Sequence, residues 1–159
     1  MAGPPAAVAQ YERVAALDAE ATLATLEVKV RSPKTGYDRT VQFGTAWIDA
    51  DRNGCDTRND VLRRDLVAFT LEGECRVMTG TLDDWYTGDL IDFVRGEQTS
   101  QAVQIDHIVA LSDAWQKGAQ QLSADERVYL ANEPLNLIAV DGPPNSATGA
   151  GDAATWLPP

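Results

Sequence analysis

The feature that most constrains this fold is an Asp-His pair set inside an apolar run. Residues 103–111 read VQIDHIVAL, a composition that predicts a buried β-strand. Asp106 and His107 are consecutive, and consecutive strand residues point to opposite faces. Burying an ionised carboxylate without a metal or cation is costly. The chain therefore has to build a polar site next to this strand.

Two asparagines follow the pair in an order that extends this site. Asn136 lies in a second apolar run, LNLIAV at 135–140, which we predict to be a short strand. A buried amide has to be hydrogen-bonded. Asn145 lies in the segment GPPNSATGAGD, which we predict to be a loop that leads to a helix. The order is thus a strand with Asp-His, a strand with Asn and a loop with Asn.

The rest of the sequence predicts short helices and strands, with no internal repeat. Ser123 and Glu126 form a capping box at the start of a helix. The class is therefore α+β with small antiparallel strands, divided into an N-terminal lead and helix (1–30) and a main domain (31–159). The predicted elements are a helix over 11–28, a turn over 31–37, a strand or helix over 43–48 with Trp47 buried, an acidic loop over 49–60, a helix or strand over 61–69, a hairpin of strands over 75–79 and 90–94, and helices over 111–121 and 123–130.

Composition limits what the chain does. It has 159 residues, 44% of them hydrophobic, and no apolar run of about 18 residues, so we expect no membrane span. The net charge of -11 argues against passive nucleic-acid binding, which needs Lys and Arg at phosphates. A divalent cation held by carboxylates reverses the local sign, so an enzyme that acts on nucleic acid through a metal ion is compatible with this charge.

The two cysteines, Cys55 and Cys75, have two interpretations. They form a disulfide that closes a loop of about 20 residues, worth roughly 3 kcal/mol, or they are separate buried thiols. The polar, loop-like segments around both favour the disulfide. Two cysteines and one histidine cannot complete a Cys-rich zinc site.

The two signals for localisation point in different directions. The cysteine pair favours an extracellular protein, whereas the first residues lack the basic and apolar regions of a secretory signal, which leaves a cytoplasmic protein open.

The acidic loop also has two interpretations. Its residues fit positions 1, 3, 5, 7 and 12 of a calcium-binding loop, with Gly54 at the sharp turn. Asp at the last position is shorter than the usual Glu. The alternative is a solvated loop of Asx turns held by Cys55. The candidate calcium ligands are Asp49, Asp51, Asn53, Cys55 and Asp60.

The segments IDHIVALSDAW, EPLNLIAVDG and PPN followed by GDAATWLPP resemble those of the His-Asn-His (HNH) endonucleases with a ββα-metal motif. The bacterial subgroup related to the C-terminal domain of GmrSD is the most similar. YDRTVQFGTAWIDADRNGCDTRND and TGTLDDWYTGDLIDFVRG extend the resemblance over roughly residues 30–159. The resemblance implies a fold in which two strands and a helix surround a metal ion.

The resemblance also implies a role for each site residue. His107 would be the general base that activates water for attack on a phosphodiester of DNA. Asp106 and Asn145 would hold a catalytic Mg²⁺ or Mn²⁺ ion, and Asn136 would hold the loop beside His107. We expect a monomer with nucleic acid as its substrate.

Two departures from the family pattern define the alternative. The family has a lysine shortly after the last asparagine, where this chain has Thr148. The family pattern also continues past WLPP into a helix, so the resemblance implies a C-terminal end that is truncated at Pro159. The alternative function is a calcium-stabilised binding module with a degraded HNH site. A longer chain or a partner that completes the site is a third interpretation.

Overall fold

The computed structural model describes residues 18–159. Contacts divide the chain into Met1–Arg31 and Ser32–Pro159. The described part of the first unit holds one short helix, α1 (Ala19–Ala24), whose first turn is capped by Asp18. The helix predicted over 11–28 is therefore wrong after residue 24, and its first part lies outside the described residues. No residue of α1 is buried, so no packing prolongs a helix that is marginal by itself.

The second unit is an α+β domain, as predicted. Strands β1, β2 and β3 form one antiparallel sheet in that order, and β4 and β5 form a separate antiparallel pair. Single 3₁₀ turns lie at 99–101, 119–121 and 134–136. The elements are α2 (Arg39–Phe43), α3 (Thr57–Asp65), β1 (Leu66–Glu72), β2 (Arg76–Asp83), β3 (Leu90–Val94), β4 (Val103–His107), α4 (Leu111–Gln116), α5 (Ala124–Ala131), β5 (Leu137–Asp141) and α6 (Gly142–Thr148).

The buried apolar residues of this domain form two clusters. The larger one joins α3 and the three-stranded sheet to one face of the β4–β5 pair, through residues such as Leu62, Phe93 and Ile105. The smaller one packs α2 against α4 through Phe43 and Trp115. The pattern of burial along β4 alternates, with Val103, Ile105 and His107 buried and the residues between them half-buried.

The hairpin and the capping box are confirmed. β2 and β3 pair from Thr79 with Val94 to Asp83 with Leu90, so the first strand runs four residues past its predicted end at residue 79. Ser123 and Glu126 bond reciprocally at the start of α5. Residues 61–69 contain both predicted alternatives, because α3 ends at Asp65 and β1 begins at the next residue.

Three predicted elements near the site differ from those observed. The strand expected over 103–111 ends at His107, because the next two backbone N–H groups bond to Asn136 instead of to a neighbouring strand. β5 begins at Leu137, so Asn136 lies in a 3₁₀ turn and not in the strand. The loop expected around Asn145 is helix α6. Prolines in its first turn are tolerated because those N–H groups have no partner within a helix.

Three further elements differ from those predicted. The acidic loop predicted over 49–60 ends at Asp56, because α3 begins at Thr57 and Asp56 caps it. The segment predicted over 43–48 is neither a strand nor a helix, because α2 ends at Phe43 and a turn follows. Trp47 in that turn has a φ of 61° and is half-buried rather than buried. The helix predicted over 111–121 ends at Gln116, before Gly118 with a φ of 135°.

The predicted disulfide is present and joins Cys55 to Cys75, with Cα atoms 5.3 Å apart and a sequence separation of 20. We expect the double variant Cys55→Ser/Cys75→Ser to lose about 3 kcal/mol of unfolding free energy, because the unfolded chain regains loop entropy. Urea denaturation with and without dithiothreitol measures this loss. The reductant should destabilise the wild type and leave the double variant unchanged. Equal stability of the oxidised wild type and the double variant would contradict the prediction.

Candidate functional site

The site lies where β4 ends, and strand alternation separates its two central side chains. His107 is 9% exposed and belongs to the buried face of β4. Asp106 belongs to the opposite, half-buried face, which it shares with Gln104. The pair therefore connects the protein interior to a polar surface, as the sequence predicts.

The His107 ring is held by one hydrogen bond. Its Nε2 lies 2.9 Å from the carbonyl oxygen of Ala131 at the end of α5. A carbonyl oxygen only accepts, so Nε2 carries the hydrogen, and Nδ1 of the neutral ring holds the free lone pair. Burial lowers the pKa of His107 below 6.5, and the Arg39 charge acts in the same direction, against the Ala131 bond and Asp106. The imidazole is therefore a neutral base near pH 7.

Asp106 is oriented by a residue that the sequence analysis did not single out. The hydroxyl of Tyr86 donates to Asp106 Oδ2 at 2.8 Å, and Oδ1 accepts from the backbone N–H of His107 at 2.7 Å. The Tyr86 ring packs against Trp156, with centroids 5.2 Å apart. Burial, followed by the bond to Asp106, raises the pKa of Tyr86. The phenol therefore remains protonated and acts as a donor.

Asp84 fixes the loop that carries Tyr86. This carboxylate is 1% exposed. It accepts from the backbone N–H of Asp141 at 3.0 Å, and from the N–H and hydroxyl of Thr87 at 2.9 and 2.8 Å. Since Asp141 precedes α6, one side chain joins this loop to the start of the helix. Asp84 and Tyr86 both lie in the acidic, turn-rich segment TGTLDDWYTGD. This segment is part of the family resemblance, and that was the one sequence signal that could have indicated them.

Asn145 reaches the same face of β4 as Asp106. Its Nδ2 donates to Gln104 Oε1 at 2.8 Å, and Gln104 lies two positions before Asp106 on the strand. The bond to Gln104 uses the nitrogen of the Asn145 amide. Asp106 and Asn145 thus lie on one face, and carboxylate and amide oxygens are hard donors of the type that Mg²⁺ prefers.

Asn136 fastens the chain just after His107. Its Oδ1 accepts from Val109 N at 2.7 Å, and its Nδ2 donates to Val109 O at 3.2 Å. Its backbone oxygen accepts from Ile108 N at 2.9 Å. This is the set of contacts that a loop-holding side chain requires.

The acidic loop of Asp49 and Asp51 is bonded to itself. Asp49 accepts from the backbone N–H groups of Asn53 and Gly54, both at 3.0 Å, and Asn53 in turn accepts from Cys55 N at 2.7 Å. These are Asx-turn contacts. Burial raises the pKa of Asp60, the residue at the last calcium position. Residues 18–159 contain no group of three or more His, Cys, Asp or Glu side chains that could hold a metal ion. Calcium binding stays a prediction.

A small cleft, with room for about one water molecule, opens beside His107. Its walls come from α2, the turn after it, the start of α4 and the end of α5. The lining includes Arg39, Phe43, Trp47, His107, Leu111 and Asn132. Neither Arg39 nor Asn132 was predicted as a site residue from the sequence.

In the part of the chain that the structure describes, no helix has the length and apolar character needed to span a membrane.

The comparisons with known proteins give one family and one relative. The family of GmrSD restriction endonucleases, C-terminal domain, matches residues 56–158. An uncharacterized secreted protein of Arthroderma benhamiae is 34% identical over 143 residues, which cover 89% of this chain. The chain spans 66% of that relative's length. No solved structure is significantly similar. The chain therefore belongs to the family of the C-terminal domain of GmrSD restriction endonucleases.

Proposed function

We propose that the protein is a metal-dependent endonuclease that hydrolyses phosphodiester bonds of DNA, with His107 as the general base. The observation that carries this proposal is the bond from His107 Nε2–H to Ala131 O. That bond selects the tautomer with a basic Nδ1 and orients the ring. Family membership supports a nuclease as the class of enzyme.

The arrangement of the surrounding elements supports the same proposal. β4, β5 and α6 occur in the order strand, strand and helix, with α4 and α5 between the two strands, and α6 reaches β4 through the Asn145–Gln104 bond. This order is that of the ββα-metal motif that the sequence resemblance implies. In such a site the helix brings a ligand to the strand that carries the base.

The donor set fits a hard divalent cation. Asp106 and Asn145 offer a carboxylate and an amide oxygen, and Mg²⁺ commonly uses few protein ligands while it keeps several waters. When bound, the ion supplies stabilisation of the negative charge on the pentavalent phosphorus and the leaving 3′ oxygen. The protein has one histidine, which makes zinc less suitable.

The remaining steps belong to side chains of this protein. His107 Nδ1 accepts the proton of the attacking water. Tyr86 holds the Asp106 carboxylate, and Asn136 holds the backbone next to the base. Each contact orients a reacting group before substrate binds, which lowers the reorganisation needed in the transition state.

We also propose that the protein acts outside the cell. The Arthroderma benhamiae relative is named as a secreted protein. The disulfide of this chain suits an oxidising compartment.

Metal removal tests the proposed function. We expect the wild type to nick supercoiled plasmid with Mg²⁺ or Mn²⁺ and to lose this activity in EDTA.

Asp106→Asn keeps the shape of the ligand but loses its charge, so the rate at limiting Mg²⁺ should fall by about 10- to 100-fold. Asp92→Asn, a change to an acid on β3, is the matched control and should cut like the wild type. RNA of the same length, incubated under the same conditions, tests the preference for DNA, and we expect it to be cut more slowly than DNA.

A wild type that cuts neither nucleic acid with any of these metals would overturn the proposal. The calcium-stabilised module then becomes the better hypothesis. It requires that EDTA lowers the melting temperature of the folded protein and that added Ca²⁺ restores it.

A further inference from the structure

We infer that Arg39 binds a phosphate of the nucleic-acid substrate in the cleft beside His107. The inference rests on the proposed function and extends the site to a segment that lies before the residues matched by the family, 56–158. Four observations carry it, namely the placement of Arg39, its lack of a partner, an unsatisfied acceptor in the same cleft, and the composition of α6.

The structure holds Arg39 on a fixed support. Arg39 is the first residue of α2, and Asp38 caps this short helix by accepting from Val41 N at 2.8 Å. Arg127 Nε on α5 donates to Gln42 O at 2.8 Å. α2 is therefore tied to the helix whose last residue, Ala131, holds the His107 ring.

The Arg39 guanidinium is exposed, and no hydrogen bond or ion pair engages it within residues 18–159. Other arginines near the core are engaged. Arg58 donates to Val103 O at 3.1 Å, and Arg95 donates to Asn59 Oδ1 at 2.7 Å. A planar guanidinium without an internal partner is well suited to bidentate binding of phosphate.

A second polar group in the cleft lacks a partner. Asn132 is 2% exposed, and its Nδ2 donates to Val128 O at 2.9 Å. Its Oδ1 is buried and accepts no hydrogen bond from the described residues. Buried acceptors are nearly always satisfied in folded proteins. The exposed guanidinium of Arg39 offers a cation to a phosphodiester oxygen at this cleft, and the small space beside Asn132 suits a water that donates to its Oδ1.

α6 offers no alternative cation. Its sequence is GPPNSAT, and the hydroxyl of Thr148 donates to Pro144 O at 3.1 Å. A protein with a net charge of -11 repels DNA at long range, so a local cation beside the base matters more for binding. Arg39 meets this need from an element far away in sequence.

Salt-dependent binding tests the inference. The protein used is the full chain with His107→Ala, which slows cleavage by about 10²- to 10⁴-fold, and the probe is a fluorescein-labelled DNA duplex in Mg²⁺. Fluorescence anisotropy gives Kd between about 50 and 200 mM salt. We expect Arg39→Gln to weaken binding about tenfold and to reduce the slope of log K against log salt by about 0.9, the value for one phosphate contact.

The matched variants separate charge from structure. Arg39→Lys should retain the slope, because it keeps the charge. Arg76→Gln is the control, since Arg76 is an exposed arginine paired with Glu72 at 2.6 Å, and it should leave Kd and slope unchanged. The inference is overturned if adding Arg39→Gln to the His107→Ala protein changes neither Kd nor the slope of log K against log salt. It is also overturned if neither protein binds the duplex. Cleavage by the wild type is measured separately, so failure of the inference is distinguishable from failure of the proposed function.

Discussion

His107→Ala is expected to lower kcat for plasmid cleavage by about 10²- to 10⁴-fold, the usual contribution of a positioned general base. The structure leaves no substitute, because this is the only histidine of the chain. The substitution removes the bond to Ala131 O and the basic Nδ1 together. Single-turnover rates at saturating Mg²⁺ measure the loss, and a circular dichroism melt shows whether the variant is folded. A folded variant that cuts at the wild-type rate would remove His107 from the mechanism.

The pH profile gives the same prediction an independent readout. Burial lowers the pKa of His107 below 6.5, so the neutral base persists below that pH, and the acid limb of kcat/KM should lie below 6.5. The variant should lack this limb. The unfolded chain binds the His107 proton at a higher pH than the folded chain, so stability is also lost as the pH falls from 6.5 through the folded pKa. Melts at each pH therefore have to accompany the rates.

The order of the site residues and the task of Asn136 could be predicted from the sequence, but the partner of Asp106 and the cleft beside His107 could not. Alternation along one strand predicts that Asp106 and His107 face opposite sides, and the structure has them so. Tyr86 contacts Asp106 from the turn between β2 and β3, and Arg39 reaches the His107 cleft from α2, much earlier in the chain. Periodicity describes one element at a time, so it contains no information on which distant loop covers it.

The predicted bounds of the elements were wrong for a different reason. Apart from Gln104, VQIDHIVAL is apolar around its polar pair, so composition predicts a longer strand than β4. Asn136 competes for the backbone groups of Ile108 and Val109 and ends the strand early. Conversely, the prolines of the segment around Asn145 suggest a loop, although proline is compatible with a first helical turn. A local contact ends the strand in the first case, and the position of the prolines in the first turn permits the helix in the second.

Asp84→Ala is expected to have the largest effect on stability among single changes near the site. The carboxylate is buried and accepts three hydrogen bonds, from Asp141 N and from two groups of Thr87. Truncation leaves these donors without an acceptor, at about 1–3 kcal/mol for each buried group. We therefore expect a loss of about 3 kcal/mol or more in the free energy of unfolding, measured by urea denaturation.

The adjacent residue provides the matched control. Asp83 has the same chemistry one position earlier but is exposed at the end of β2, so Asp83→Ala should change stability by less than about 0.5 kcal/mol. Asp84→Ala should also lose activity at temperatures where it is still folded, because Tyr86 and the start of α6 lose their common anchor. Equal unfolding free energies for the Asp83 and Asp84 variants would contradict this assignment. Full activity in the Asp84 variant would show that the Tyr86–Asp106 contact does not depend on this carboxylate.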